Sequence, residues 1–218
     1  MKTALRWFGF IFAAVAPLFG QGAAYRGMGR SYGRSMVITQ QGIAATSQAL
    51  ASQAAAQILA HGGSAADAAI AANAVLAVVE PMKCGLGGDL FAMYWTAADG
   101  KLTGLNASGP APRALSPEFL AAKGIKTMPQ SGIHSFTVPG AVDGWWKIHQ
   151  RFGRLPWKDL FAPAIAYAEQ GFPVTEIIAE IWNVAGNLKK IRQFPESVRV
   201  YLPGGTQPRE GDLFKNPD

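Results

Sequence analysis

Apolar positions recur at helical spacing between Gln48 and His61, where Leu50, Ala54 and Ile58 stand four residues apart beside Ala51, Ala55 and Leu59. The pattern predicts a helix, and Gly62-Gly63 supplies its left-handed stop. Ser64, with Asp67 three residues on, is close to a capping box for a second helix running to about Val79. That segment is apolar all round except for Asp67 and Asn73, so it reads as a buried core helix. Its alanines allow close approach of another helix backbone, and Pro81 ends it. Upstream, Met36-Val37-Ile38 and Ile43-Ala44-Ala45 are split at Gln41-Gly42, and a strand is expected near Ile43 to Thr46. Downstream, Leu90 to Thr96 is aromatic-rich and predicts a strand. The Asp99-Gly100 turn signal and a returning strand, Leu102 to Asn106, complete a hairpin.

Prolines 110, 112 and 117 mark a loop from Ser108 to Pro117, and Ser116 is placed to cap a short helix ending near Ala122. Ser135 to Val138 is a short strand candidate. Pro139-Gly140 opens a helix to about Phe152 that should bury Val142, Trp145 and Ile148. Trp157 to Gln170 is helical in pattern with a restart at Pro163, and Gly171-Phe172-Pro173 breaks it. One long helix is expected from Thr175 to about Phe194. Residues 202–218, rich in proline and glycine, read as loop.

Composition adds one domain's worth of core: 218 residues, 49% hydrophobic and 16% charged. The net charge of +6 is unevenly placed. Residues 1–35 carry Lys2, Arg6, Arg26, Arg30 and Arg34 and no acid, which leaves the remaining chain near neutrality. A basic leader therefore explains the charge better than a nucleic-acid surface does. Lys2 and Arg6, the apolar run from Trp7 to Phe19 and the small residues Gly20, Gly22, Ala23 and Ala24 have the layout of a secretory signal peptide. The reading is a signal peptide over 1–24, a Gly/Arg/Ser-rich linker over 25–35 and one domain over 36–218. It implies a periplasmic or secreted protein, or a cytoplasmic one if the leader is not cleaved.

The candidate chemistry is sparse. Gly85-Leu86-Gly87-Gly88 invites a phosphate-loop reading, but a dinucleotide fingerprint lies between a strand and a helix. Here the order is helix, glycines, strand, so no nucleotide or other cofactor is expected. The glycines are instead expected to provide positive φ and tight helix-to-sheet packing. Cys84 is the only cysteine. It reads as a small buried hydrophobe, not as a catalytic thiol. His61, His134 and His149 lack ligand spacing, so no metal is expected. Trp145-Trp146 fits core packing or a subunit interface better than a ligand platform.

Several ordered blocks go further. Ala45-Thr46-Ser47-Gln48, Gly62-Gly63-Ser64-Ala65-Ala66-Asp67-Ala68-Ala69, and Val79-Glu80-Pro81 through Gly85-Leu86-Gly87-Gly88 come first. Val138-Pro139-Gly140-Ala141-Val142, Trp145-Trp146, Arg151-Phe152-Gly153-Arg154-Leu155-Pro156-Trp157 and Ala162-Pro163-Ala164-Ile165 follow. Ala168-Glu169-Gln170-Gly171-Phe172-Pro173-Val174 ends the series. This succession resembles the N-terminal part of the gamma-glutamyltransferase family. The resemblance implies an α/β fold of the layered N-terminal-nucleophile hydrolase type, an αββα sandwich of which only the N-terminal portion is present. Sheet edges and apolar faces should then stand uncovered.

The same resemblance carries expectations about the site. Family members hold a glutamyl α-carboxylate with an arginine in a pattern like Leu-Asp-Phe-Arg-Glu-Thr-Ala-Pro. Here the run is Leu105-Asn106-Ala107-Ser108-Gly109-Pro110-Ala111-Pro112, with Ser108 in the arginine's place. Serine offers no charged bidentate fork. Substrate-binding candidates are thus Ser108, Asn106 and the nearby Arg113, and the resemblance is to the divergent branch, whose members include amidohydrolases of small amides and β-lactam acylase-like enzymes. The family nucleophile is a threonine opening a later Thr-Thr-His-like segment, and no threonine here has that context. The expected partner is that C-terminal segment of the same precursor, with no catalytic residue in this chain and no activity from it alone. The alternative from another class is a non-catalytic, exported binding module on the same scaffold.

Overall fold

The computed structural model describes residues 37–130 and 132–217. The predicted signal peptide and basic linker lie outside them. Helix α1 spans Ala49–Ala60, with the Gln48 side chain accepting the Leu50 N–H at its start. Gly62, at φ 85°, ends it in the left-handed region. A side chain at Gly63 would meet Ile58 Cγ2 at 2.6 Å, so this second glycine answers to space. Helix α2 spans Ala65–Val79 and opens with the anticipated reciprocal cap: Asp67 N–H donates to Ser64 Oγ at 3.1 Å, and Ser64 N–H to Asp67 Oδ2 at 2.8 Å.

Alanines 51, 54 and 55 of α1 and 68, 71, 72 and 74 of α2 are buried, which is the close backbone approach their size permits. Ile70 and Val75 extend the core, each contributing about 1.5–3 kcal/mol by removal from water. The two polar exceptions on α2 both have a structural use. Asn73 Oδ1 accepts the indole N–H of buried Trp145 at 2.9 Å. Asp67 is fully buried, and its Oδ2 also accepts the backbone N–H groups of Arg154 at 2.9 Å and Leu155 at 3.2 Å. His149 Nε2 lies 3.8 Å from Asp67 Oδ1 and hydrogen-bonds Leu155 O at 2.8 Å.

After α2, strands β1 (Leu90–Thr96) and β2 (Lys101–Ala107) form an antiparallel hairpin, pairing Leu90 with Ala107 and Thr96 with Lys101. Helix α3 (Pro117–Ala122) is capped by Ser116 Oγ. Helix α4 (Ala141–Phe152) packs on one hairpin face, where Gly144 sits against Leu90 and Ala107. A 3-10 turn (Trp157–Phe161) leads into α5 (Ala162–Gln170). Next come β3 (Phe172–Pro173), the short helices α6 (Glu176–Trp182), α7 (Ala185–Ile191) and α8 (Pro195–Tyr201), and β4 (Leu213–Phe214). Strand β4 pairs antiparallel with β3. Residues Gln41–Asp218 form one unit, with Leu160, Phe172, Val174, Ile178, Trp182 and Phe214 joining the α1–α2 core.

The other hairpin face stands open. Phe91, Met93, Trp95 and Leu102 are 69, 77, 59 and 53% exposed and share one side of the sheet by register. An uncovered apolar sheet face is among the expectations, and these side chains form one.

Several expectations fail, each for a local reason. Ile43 to Thr46 is not a strand. Thr46 N–H donates to Ser52 Oγ at 3.0 Å and its hydroxyl to Gln48 O at 2.6 Å, so α1 takes the groups a sheet would need. Ser135 to Val138 forms no strand either: Ile133–Ser135 is a 3-10 turn, and Val138 N–H goes to Pro110 O in a loop contact. The long helix over 175–194 is broken at Asn183-Val184, because Val184 leaves the helical region with ψ at 126° and Asn187 Nδ2 donates to Ile181 O at 2.8 Å. Val142 is exposed, since the buried stripe of α4 runs through Ala141, Gly144 and Trp145. The loop expected over 202–218 contains β4, which finds its partner in the Gly171-Phe172-Pro173 break.

Candidate functional site

Three segments meet where the glycine elbow enters β1. Gly88 O accepts the N–H groups of Gly140 at 3.1 Å and Ala141 at 3.0 Å, seating the start of α4 on the elbow. Asp89 Oδ1 accepts the Gly109 N–H at 3.0 Å and the Thr137 hydroxyl at 3.1 Å. Val138 N–H closes the ring on Pro110 O at 2.9 Å. The elbow, the loop after β2 and the loop before α4 are thereby fixed to one another by backbone-directed bonds.

Glycines make the junction possible, though not those expected. None of Gly85, Gly87 and Gly88 has positive φ, and side chains at Gly85 and Gly87 would meet nothing within 4 Å. The expectation that these residues supply positive φ and tight packing is therefore corrected. The sterically demanding positions are Gly109, where a Cβ would come within 1.4 Å of Val138 O, and Gly140, where it would come within 2.1 Å of Ala107 O.

The structure places two of the three substrate-binding candidates here. Asn106, the penultimate residue of β2, accepts the Ser108 N–H on its Oδ1 at 2.9 Å, and both side chains face solvent. Arg113 is exposed, and among the described residues it forms no ion pair. Asp89 and Thr137 were missed by sequence reasoning. The signal for Asp89 was an acid directly following the elbow glycines, at the mouth of a strand. Thr137 offered none, because its role depends on a contact across 48 residues.

The electrostatics concentrate on Asp89. Its carboxyl is held below the ordinary carboxylate range, first by the Gly109 N–H, which outweighs an opposing desolvation, and then by the Thr137 and Ser108 hydroxyls. The junction thus carries a persistent negative charge beside Ser108. On the other side of the elbow, burial pushes the Cys84 thiol up, with Glu80 adding and Lys83 opposing. Cys84 is half-buried, not buried as anticipated, and a raised thiol is a poor nucleophile. Cys84, Gly85 and Leu86 line a separate groove of about 520 Å³ with Ala74, Ile165 and Tyr201. Glu80 anchors the elbow's start: Ser47 Oγ donates to its Oε2, and Lys83 Nζ lies 3.1 Å from its Oε1.

The histidines do not converge. His61 bonds Gln57 O, His134 meets Phe119 edge-on, and His149 serves the Leu155 loop. Trp145 is core and Trp146, 43% exposed, packs against Trp157.

Comparison with known proteins places this arrangement. Residues 51–218 match the gamma-glutamyltranspeptidase family. The chain is 36% identical over 166 residues to the glutathione hydrolase-like YwrD proenzyme of Bacillus subtilis, covering 76% of this chain and 31% of that protein. It is 38% identical over 186 residues to the oxamate amidohydrolase proenzyme of Klebsiella pneumoniae, covering 83% and 34%. Among solved structures, Helicobacter pylori gamma-glutamyltranspeptidase superposes with a TM-score of 0.76 at 30% identity, over 84% of this chain and 52% of that one. Cephalosporin acylase from Bacillus halodurans gives 0.74 at 38%, over 86% and 37%. The chain spans about a third of the length of these two curated relatives, and the fold is the mixed α/β arrangement of the N-terminal part of such structures. With the family match running from α1 to the last described residues, the chain belongs to the gamma-glutamyltranspeptidase family.

Proposed function

We propose that residues 36–218 are the N-terminal, substrate-facing portion of a family acyltransferase or amidohydrolase, from the branch without the carboxylate-binding arginine. The observation that supports this reading is the pinned, solvent-facing loop Asn106–Pro110, in the run where the family resemblance puts that arginine and this chain has Ser108. The loop's job is to hold an acyl donor while chemistry comes from elsewhere. In the family, a threonine hydroxyl attacks the acyl carbon and its own α-amino group takes the proton. The leaving amine departs, and water or an acceptor amine resolves the acyl-enzyme. We assign that nucleophile and its oxyanion donors to the C-terminal segment of the same precursor, with the open face of the β1–β2 hairpin as part of the surface that segment covers. The basic, apolar leader supports export to the periplasm or medium.

On this reading the purified 1–218 chain does not turn over a γ-glutamyl anilide or a small amide, and turnover above background overturns it. The exposed Phe91, Met93, Trp95 and Leu102 also favour a second reading, a non-catalytic exported binding module. Sequencing the gene downstream of Asp218 separates the two. A continuing frame with a Thr-Thr-His-type segment supports the enzyme, and an immediate stop codon supports the module.

A further inference from the structure

We infer that Asp89 is a specificity-determining residue that makes the acyl-donor end of this site select neutral or cationic groups over carboxylates. The inference rests on the proposed function, in which the Asn106–Pro110 loop receives the donor. Three observations carry it. Asp89 Oδ1 is committed to the Gly109 N–H and the Thr137 hydroxyl, which fixes the carboxylate to the loop carrying Ser108. The group is exposed, so its field acts on whatever occupies the loop's solvent side. Among the described residues no cation pairs with it: Lys83 pairs with Glu80, Lys147 with Asp143, and Arg113 makes no ion pair. A carboxylate brought to Ser108 would meet like charge from Asp89 and only hydroxyl or amide donors from Ser108 and Asn106. A terminal amide or an ammonium group meets no such repulsion and can donate to the carboxylate's other oxygen.

A matched pair of substrates tests this in the processed full-length protein: glutaryl 4-nitroanilide, which ends in a carboxylate, and its terminal-amide analogue. The wild-type kcat/KM should favour the amide by about fivefold at low salt, the size expected for exposed like charges a few ångströms apart. Raising salt should shrink the ratio. Asp89→Asn should bring it to within about twofold of unity, mostly through KM for the carboxylate, while processing and the rate on the amide change less. An unchanged ratio in Asp89→Asn, or a wild-type preference for the carboxylate, overturns the inference. Should Asp89→Asn fail to fold, the wild-type ratio and its salt dependence still decide.

An inactive full-length protein would sink the proposed function separately. The inference then stands or falls on an NMR titration of the 1–218 chain. Glutaramide should shift the Ser108 and Gly109 amides more than glutarate does, and equal or absent shifts overturn it.

Discussion

Asp67 on α2 accepts the backbone N–H of Arg154 at 2.9 Å across 87 residues, joining a helix N-terminus to the loop after α4. The carboxylate simultaneously serves Ser64 and Leu155, so its removal orphans three buried or half-buried amides at once. Asp67→Ala should destabilise the chain by about 3 kcal/mol or more, and Asp67→Asn, which keeps an acceptor, by less. Urea unfolding of the two variants measures the difference; equal losses would mean that the charge, not the acceptor geometry, matters.

The glycines of the elbow and of the junction should respond oppositely to alanine. Gly87→Ala meets open space at ordinary φ and should lie between neutral and about 1 kcal/mol stabilising. Gly109→Ala and Gly140→Ala drive a methyl into carbonyl oxygens and should lower the melting temperature by several degrees at least. Differential scanning fluorimetry of the three variants is sufficient, and a destabilised Gly87→Ala would restore a packing role for the elbow.

The junction should resist acid. Asp89 has a carboxyl pKa below its ordinary value of 3.8. A folded pKa below the unfolded one means that the bonds to Gly109 and Thr137 stabilise the fold fully above the ordinary value. That stabilisation fades as pH falls through the lower, folded value. The Gly109 amide resonance should therefore hold constant from neutral pH down to about pH 5 and titrate with a midpoint below 3.8. A midpoint above 3.8 would contradict the geometry, and Asp89→Asn should abolish the transition.

The open hairpin face should be sticky and dispensable for folding of this segment. Replacing Phe91, Met93 and Trp95 with serine should cut binding of the dye ANS several-fold and leave thermal stability within about 1 kcal/mol, because these side chains are already largely in water. A large loss of stability would show that the face is packed in solution.

Much of this architecture was legible in local pattern. The α1–α2 pair, the Ser64–Asp67 cap, the Asp99-Gly100 hairpin and the Ser116 cap are all specified by neighbours within a few residues, and each appears where expected. The misses share a different origin. Thr46 and Val138 lose their strands to partners that periodicity does not reveal, Ser52 Oγ and Pro110 O. The break at Asn183-Val184 interrupts a run whose apolar spacing continues on both sides, so nothing in the pattern marks it. The candidate site divides likewise: Asn106 and Ser108 are candidates by their position in a family-like run, whereas the Thr137 contact with Asp89 arises only when a distant loop folds back.

The tiny β3–β4 ladder has an architectural consequence. By clasping Phe172 to Phe214 and Pro173 to Leu213, it ties off everything between as a side excursion with a fastened base. Lengthening such an excursion costs only about 0.6 kcal/mol per doubling of its contour. Evolution can therefore lengthen the segments around α7 and α8, or graft new appendages there, without disturbing the hairpin and the three-way knot at its mouth, whereas α6 is held by Ile178 and Trp182 in the core.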